Sequence, residues 1–130
     1  MRHWSRTILH LRLIRELIRY DVMDAVLGFK GVHSEFRPRR VPFSVSADAN
    51  LEATVCEAMR RVVPWYWKRV QCLQRSVATA RVLRAYGHPA EVVVGYRLAP
   101  FLGHAWVEVG GRVVNDSPTF QSRLRTLERF

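Results

Sequence analysis

Three side chains in the second half of the chain have the types and order that acyl transfer through a thiol requires: Cys72, His104 and Asp116. Cys72 opens the run CLQRSVATARVLRAYG, and His104 opens the run HAWVEVGGRVVND, which Asp116 closes. A cysteine attacks a carbonyl as its thiolate, so it needs a base to take the proton and surroundings that favour negative charge. An imidazole supplies the first. A carboxylate would hold that imidazole in the accepting tautomer and stabilise the imidazolium that follows. The three lie far apart in sequence, so this chemistry exists only where the fold joins them.

The element that must position the thiol is a helix over about Val70 to Tyr86, with Leu73, Val77, Ala80 and Leu83 as its buried stripe and Gly87 with Pro89 ending it. Cys72 falls in its first turn, where unpaired N–H groups and the macrodipole favour negative charge. Lys68, Arg69 and Arg75 act in the same direction. The same N–H groups suit an oxyanion, and one such donor is worth about 3 kcal/mol in well-studied hydrolases. The Cys72 N–H is the first candidate donor, with Gln71 or an upstream tryptophan such as Trp67 as a second. Trp106, on the His104 face of its strand, is a further oxyanion or substrate contact. The cluster Trp65, Tyr66 and Trp67 fits either core packing or the wall of a substrate groove.

The base and its orienting acid need strands. AEVVVGYRL reads as a buried strand, and His104 to Val109 with Arg112 to Asp116 as a hairpin across Gly110-Gly111. His104, Trp106 and Glu108 share one face of their strand, and Ala105, Val107 and Val109 share the other. A two-residue loop would set Val109 against Arg112 and His104 against Ser117. A three-residue loop, Val109-Gly110-Gly111, sets Glu108 against Arg112 as an ion pair and His104 against Asp116. The longer loop is the expectation, and it favours Asp116 over Asn115 as the third member.

Upstream, Trp4, Ile8, Leu11, Ile14, Ile18, Val22, Ala25 and Phe29 recur at three- and four-residue steps and mark an amphipathic helix ending near Gly28 or Gly31. That stripe is expected to pack on its own domain rather than on a membrane. The run RPRRVPFSVS reads as an extended connector. A second helix follows from about Ala49 to Val63, capped by Ser46 or Asp48 and stopped by Pro64. Cys56 lies inside it as a buried, inert thiol. Helices followed by consecutive antiparallel strands give an α+β domain. The boundaries expected are a single domain over 1–130, with the N-terminal helix and connector in 1–47 and the catalytic core in 48–130.

The chain has 130 residues and 48% apolar composition, enough for one core. No stretch has the length of a membrane span or the layout of a signal peptide, so a cytoplasmic protein is expected. Two cysteines are too few for a disulfide framework or a zinc site, and no metal or organic cofactor is expected. The formal charge is +10, and no acidic residue falls between Glu57 and Glu91. Such a field suits an acidic peptide or protein partner. Nucleic acid is the alternative for a basic surface, but no recognisable nucleic-acid motif accompanies the charge, and none is expected as a partner.

CLQRS opening a helix, the run GHPAEVVVG, and HAWVEVGGRVVND together resemble the leader peptidases of lasso-peptide biosynthesis, which are transglutaminase-like (papain-like) cysteine proteases. The resemblance covers about Val62 to Phe130. It implies that Cys72 is the nucleophile, His104 the base and Asp116 the orienting acid. It implies cleavage of a leader from a ribosomally made precursor, with a leader-recognition protein acting in trans and an ATP-dependent cyclase closing the macrolactam. Two other readings compete: a transglutaminase-like amidase or acyltransferase on a different substrate, and a non-catalytic basic module binding nucleic acid or an acidic protein.

Overall fold

Leucines at 9, 13 and 17, followed by Tyr20, form the buried stripe of the first helix, α1 (Arg6–Glu35). The molecule is known as a computed structural model that describes residues 6–35, 49–98, 101–115 and 124–130. The stripe expected from sequence lies on the other side of α1: Ile8, Leu11, Ile18 and Val22 are exposed and Ile14 is half-buried. Two apolar stripes interleave on this helix, and Glu16 interrupts the one that packs. Glu16 is nonetheless buried, because Arg81 reaches it at 2.6 Å and compensates its charge. Gly28 breaks the helical path with φ 70° and ψ −174°, a backbone shape open chiefly to glycine. The side chains of Trp4 and Phe29, the connector Arg37 to Ser46 and the caps Ser46 and Asp48 lie outside the described residues.

Helix α2 (Ala49–Val62) buries Leu51, Val55, Ala58, Met59 and Val62. It passes into a 3-10 turn, Val63–Trp65, with Pro64 near the turn's start, where its missing N–H is harmless. Cys56 is buried in α2 as expected. Its Sγ lies 3.3 Å from the Val114 carbonyl, and burial pushes its thiol up to about 11. Helix α3 (Cys72–Ala85) buries Val77, Ala80 and Leu83 and leaves Leu73 half-buried.

Four strands follow: β1 (Ala90–Leu98), β2 (Phe101–Val109), β3 (Arg112–Val113) and β4 (Arg125–Arg129). They form one antiparallel sheet in the order β3-β2-β1-β4. Val92, Val107, Val109 and Phe130 join the helices' Leu13, Val55, Val77 and Leu83 in one core cluster. This is the α+β arrangement read from the sequence. Strand β4 was not anticipated; RTLERF carries too many charges to read as a strand.

The β2–β3 turn corrects the hairpin reading. Val109 pairs with Arg112 and Glu108 with Val113, so the loop is the two-residue one. Gly110 has φ 59° and Gly111 φ 80°, and two consecutive positive values are the signature of the type I′ turn that fits a hairpin's twist. The expected Glu108–Arg112 ion pair is absent from this register. Arg112 reaches Glu52 at 3.1 Å, and Glu108 receives Arg129 at 3.0 Å. The register argument for Asp116 falls with the longer loop, and Asp116 itself lies outside the described residues.

Candidate active site

Cys72 is the first residue of α3, and Gln71 caps it with an extended backbone, φ −82° and ψ 160°. The Gln71 carbonyl accepts the Arg75 N–H at 2.9 Å, but its side chain makes no capping bond. The first-turn N–H groups beside the thiol are therefore not occupied by a Gln71 capping bond.

Residues on both sides of Cys72 are tied to one short stretch of α1. Before it, the Tyr66 hydroxyl donates to the Asp21 carboxylate, and Lys68 Nζ lies 2.6 Å from Asp21 Oδ1. After it, the buried Gln74 amide donates to the Leu17 carbonyl at 3.0 Å. Burial alone would raise the Asp21 carboxyl, but hydrogen bonds from Lys68, Tyr66 and Gln74 and the Lys68 charge outweigh it and hold it below the ordinary range. Tyr20 sits within the same stretch and is buried. Its hydroxyl is pushed up to about 12, first by burial and then by the charges of Asp24, Cys72 and Asp21. A neutral, protonated phenol thus belongs to the surroundings of the thiol.

His104 is half-buried on β2, and its register partner on β1 is Gly95, which adds no side chain of its own. The ring stacks on Trp106, with centroids 6.1 Å apart and planes 28° from parallel. At the C-terminal end of α3, Arg84 donates to the carbonyls of Ala90 and Phe130 at 2.8 and 3.0 Å. Nearer its N-terminal end, Ser76 Oγ lies 3.5 Å from Asn115, whose Oδ1 accepts the Val107 N–H at 2.7 Å. One helical turn further lies Cys72, toward the start of β2 and His104. The thiol thus sits on α3 and the imidazole on the strand β2 of the sheet beside it. His104 belongs to the row with Trp106 and Glu108, opposite the row that packs on α3.

Trp106 is buried, and its indole N–H donates to Glu108 at 2.7 Å, so its donor is already committed. Glu108 is itself buried and also accepts from Arg129. Trp65 and Trp67 are 89% and 76% exposed, which excludes core packing for both and leaves them flanking the segment that leads to Cys72. Gln71 is exposed beside the thiol. Asn115 serves as a tie between β2 and α3. Among the described residues, no group of three or more His, Cys, Asp or Glu side chains could hold a metal.

The sequence reading missed Asp21, Tyr66 and Lys68 as a unit. Asp21 lies 45 residues from Tyr66, and nothing local marks it. Tyr66, Lys68 and Gln74 each stand in stretches the sequence marks, but Asp21, which joins them, does not.

The sequence profile described as the transglutaminase-like superfamily matches residues 21–129. The microcin J25-processing protein McjB of Escherichia coli is 43% identical over 56 residues, which are 43% of this chain and 27% of that protein. The chain thus matches about a quarter of that relative's length. No solved structure gives a significant match. With a profile that runs from within α1 to the end of β4, the chain belongs to the transglutaminase-like superfamily.

Proposed function

We propose that this protein is a cysteine peptidase that removes the leader from a ribosomally made lasso-peptide precursor. The observation that carries the reading is Cys72 at the uncapped start of α3, held from both sides by α1. The similarity to a microcin J25-processing protein supports the substrate class. In this scheme the Cys72 thiolate attacks the scissile carbonyl, and the first-turn N–H groups hold the oxyanion. His104 protonates the departing core-peptide amine, then draws a proton from the water that hydrolyses the leader acyl-enzyme. Asp116 orients the imidazole. The reading requires the imidazole, carried on the face of β2 turned away from α3, to reach the thiol around the end of the sheet. A separate leader-recognition protein presents the precursor, and a cyclase consumes the freed core peptide.

The test is mass spectrometry of a precursor peptide incubated with the protein and its recognition partner, comparing wild type with Cys72→Ala. One leader cut that vanishes in the variant is the expected result. Cleavage by both proteins, or by neither, overturns the assignment.

A further inference from the structure

The face of α1 turned away from the core carries an apolar seam that the proposed reaction does not use. Ile8, Leu11, Ile18 and Val22 are 52%, 61%, 48% and 54% exposed on a regular helix that runs unbroken to Gly28. Their spacing is a heptad pattern: 8, 11, 15, 18, 22 and 25 alternate as a and d positions, with Arg15 as the single charged member. A two-in-seven seam is the pattern of one helix laid along another. A helix resting on a membrane presents a broader apolar face, with aromatics among its anchors.

Charge narrows the occupant. Arg12 and Arg19 follow the seam at the flanking e positions, and Arg15 lies within it. A second copy would set Arg15 against its own counterpart in a parallel pair, or Arg12 and Arg19 against theirs in an antiparallel one, on a chain of net charge +10. We infer that the Leu11–Ile18–Val22 seam of α1 docks one acidic amphipathic helix of a partner protein, whose apolar a and d residues cover the seam and whose carboxylates face Arg12, Arg15 and Arg19. The docked length is about 26 Å, from the helical rise over Ile8 to Ala25. The inference does not depend on the peptidase reading.

The probe is a fluorescent three-heptad peptide with leucine at a and d and glutamate at e and g, titrated at low salt against the whole protein. Its counterpart carries lysine at e and g, and anionic phospholipid vesicles form the third arm. The glutamate peptide should bind and the lysine peptide should not. Leu11→Asp/Ile18→Asp/Val22→Asp should weaken binding about tenfold or more, equivalent to ~1.4 kcal/mol or more. Arg12→Glu/Arg15→Glu should move the preference toward the lysine peptide, which keeps the test decisive if the triple variant does not fold. Equal binding of both peptides, an unchanged charge-reversal variant, or sedimentation with vesicles without binding the glutamate peptide overturns the inference.

Discussion

A methyl group at position 95 would stand 2.5 Å from Trp106 Cη2 and 2.7 Å from Cζ3, closer than real carbon atoms approach. Gly95 therefore does two things: it lets the Trp106 indole lie over β1, and it places no side chain of its own opposite His104. Gly95→Ala should destabilise by roughly 1–3 kcal/mol in denaturant titration, the range for overpacking. Adding Trp106→Phe should recover part of that loss, because the smaller ring withdraws the clashing edge. The two cysteines should separate as sharply. Burial holds the Cys56 thiol at about 11, so at neutral pH it is protonated as well as enclosed. Iodoacetamide should label Cys72 in the folded protein and reach Cys56 only on unfolding, read by peptide mapping. Labelling of Cys56 first would contradict the packing of α2.

At the scale of elements, the link from α1 to the segment before Cys72 passes through Asp21. Its folded value lies below the unfolded one, so the stability it contributes is present above about pH 4 and lost as the pH falls through the folded value. Asp21→Asn should cost about 1–2 kcal/mol at neutral pH, as expected for hydrogen bonds to a charged group. Its gap from wild type should narrow on acidification; a gap independent of pH would assign the loss to shape rather than charge. This tie was invisible in sequence because its partners come from distant segments. Strand β1 was legible to the residue, since its β-branched run admits one reading. The α1 stripe was not. Two apolar series three and four residues apart share that helix, and the choice between them depends on Arg81 reaching Glu16, a contact across 65 positions. The hairpin loop is ambiguous in sequence, because a Glu108–Arg112 pair competes with the I′ preference of paired glycines, and the glycines win. The position of Cys72 at a helix start is legible because a helix start is a local property. His104 was placed on the right strand, but its partnership with Asp116 rested on a register that the sheet does not use.

For the molecule as a whole, the acid-free stretch between Glu57 and Glu91 is less of a binding surface than its composition suggests. Arg81 is spent on Glu16, Lys68 on Asp21, and Arg84 on two backbone carbonyls, where burial first and Arg81 second push its guanidinium down to about 10. Arg60 and Arg61 stay exposed, sharing Glu57 between them. Neutralising Arg60 and Arg61 should weaken association with an acidic leader or partner at low salt and leave thermal stability nearly unchanged. Arg84→Ala should instead lower stability, by stripping donors from the Ala90 and Phe130 carbonyls. Measuring both variants by binding and by melting separates the two kinds of arginine. If Arg60 and Arg61 prove silent, the long-range field is not what attracts the partner.

The boundary of kinship and the boundary of folding do not coincide in this chain. The family profile begins at residue 21, while Leu9, Leu13, Leu17 and Tyr20 lie before it and are all buried in the shared core. The Leu17 carbonyl that receives Gln74 also lies on the far side of that line. A fragment cut where the homology starts would keep every proposed catalytic group and lose the wall against which Cys72 is set. Such a fragment, 21–130, should show little cooperative melting by circular dichroism, and supplying α1 as a separate peptide should restore it in part. Ancestry marks out the part of the helix–sheet layer that carries the proposed site, and hydrophobic closure requires a longer piece.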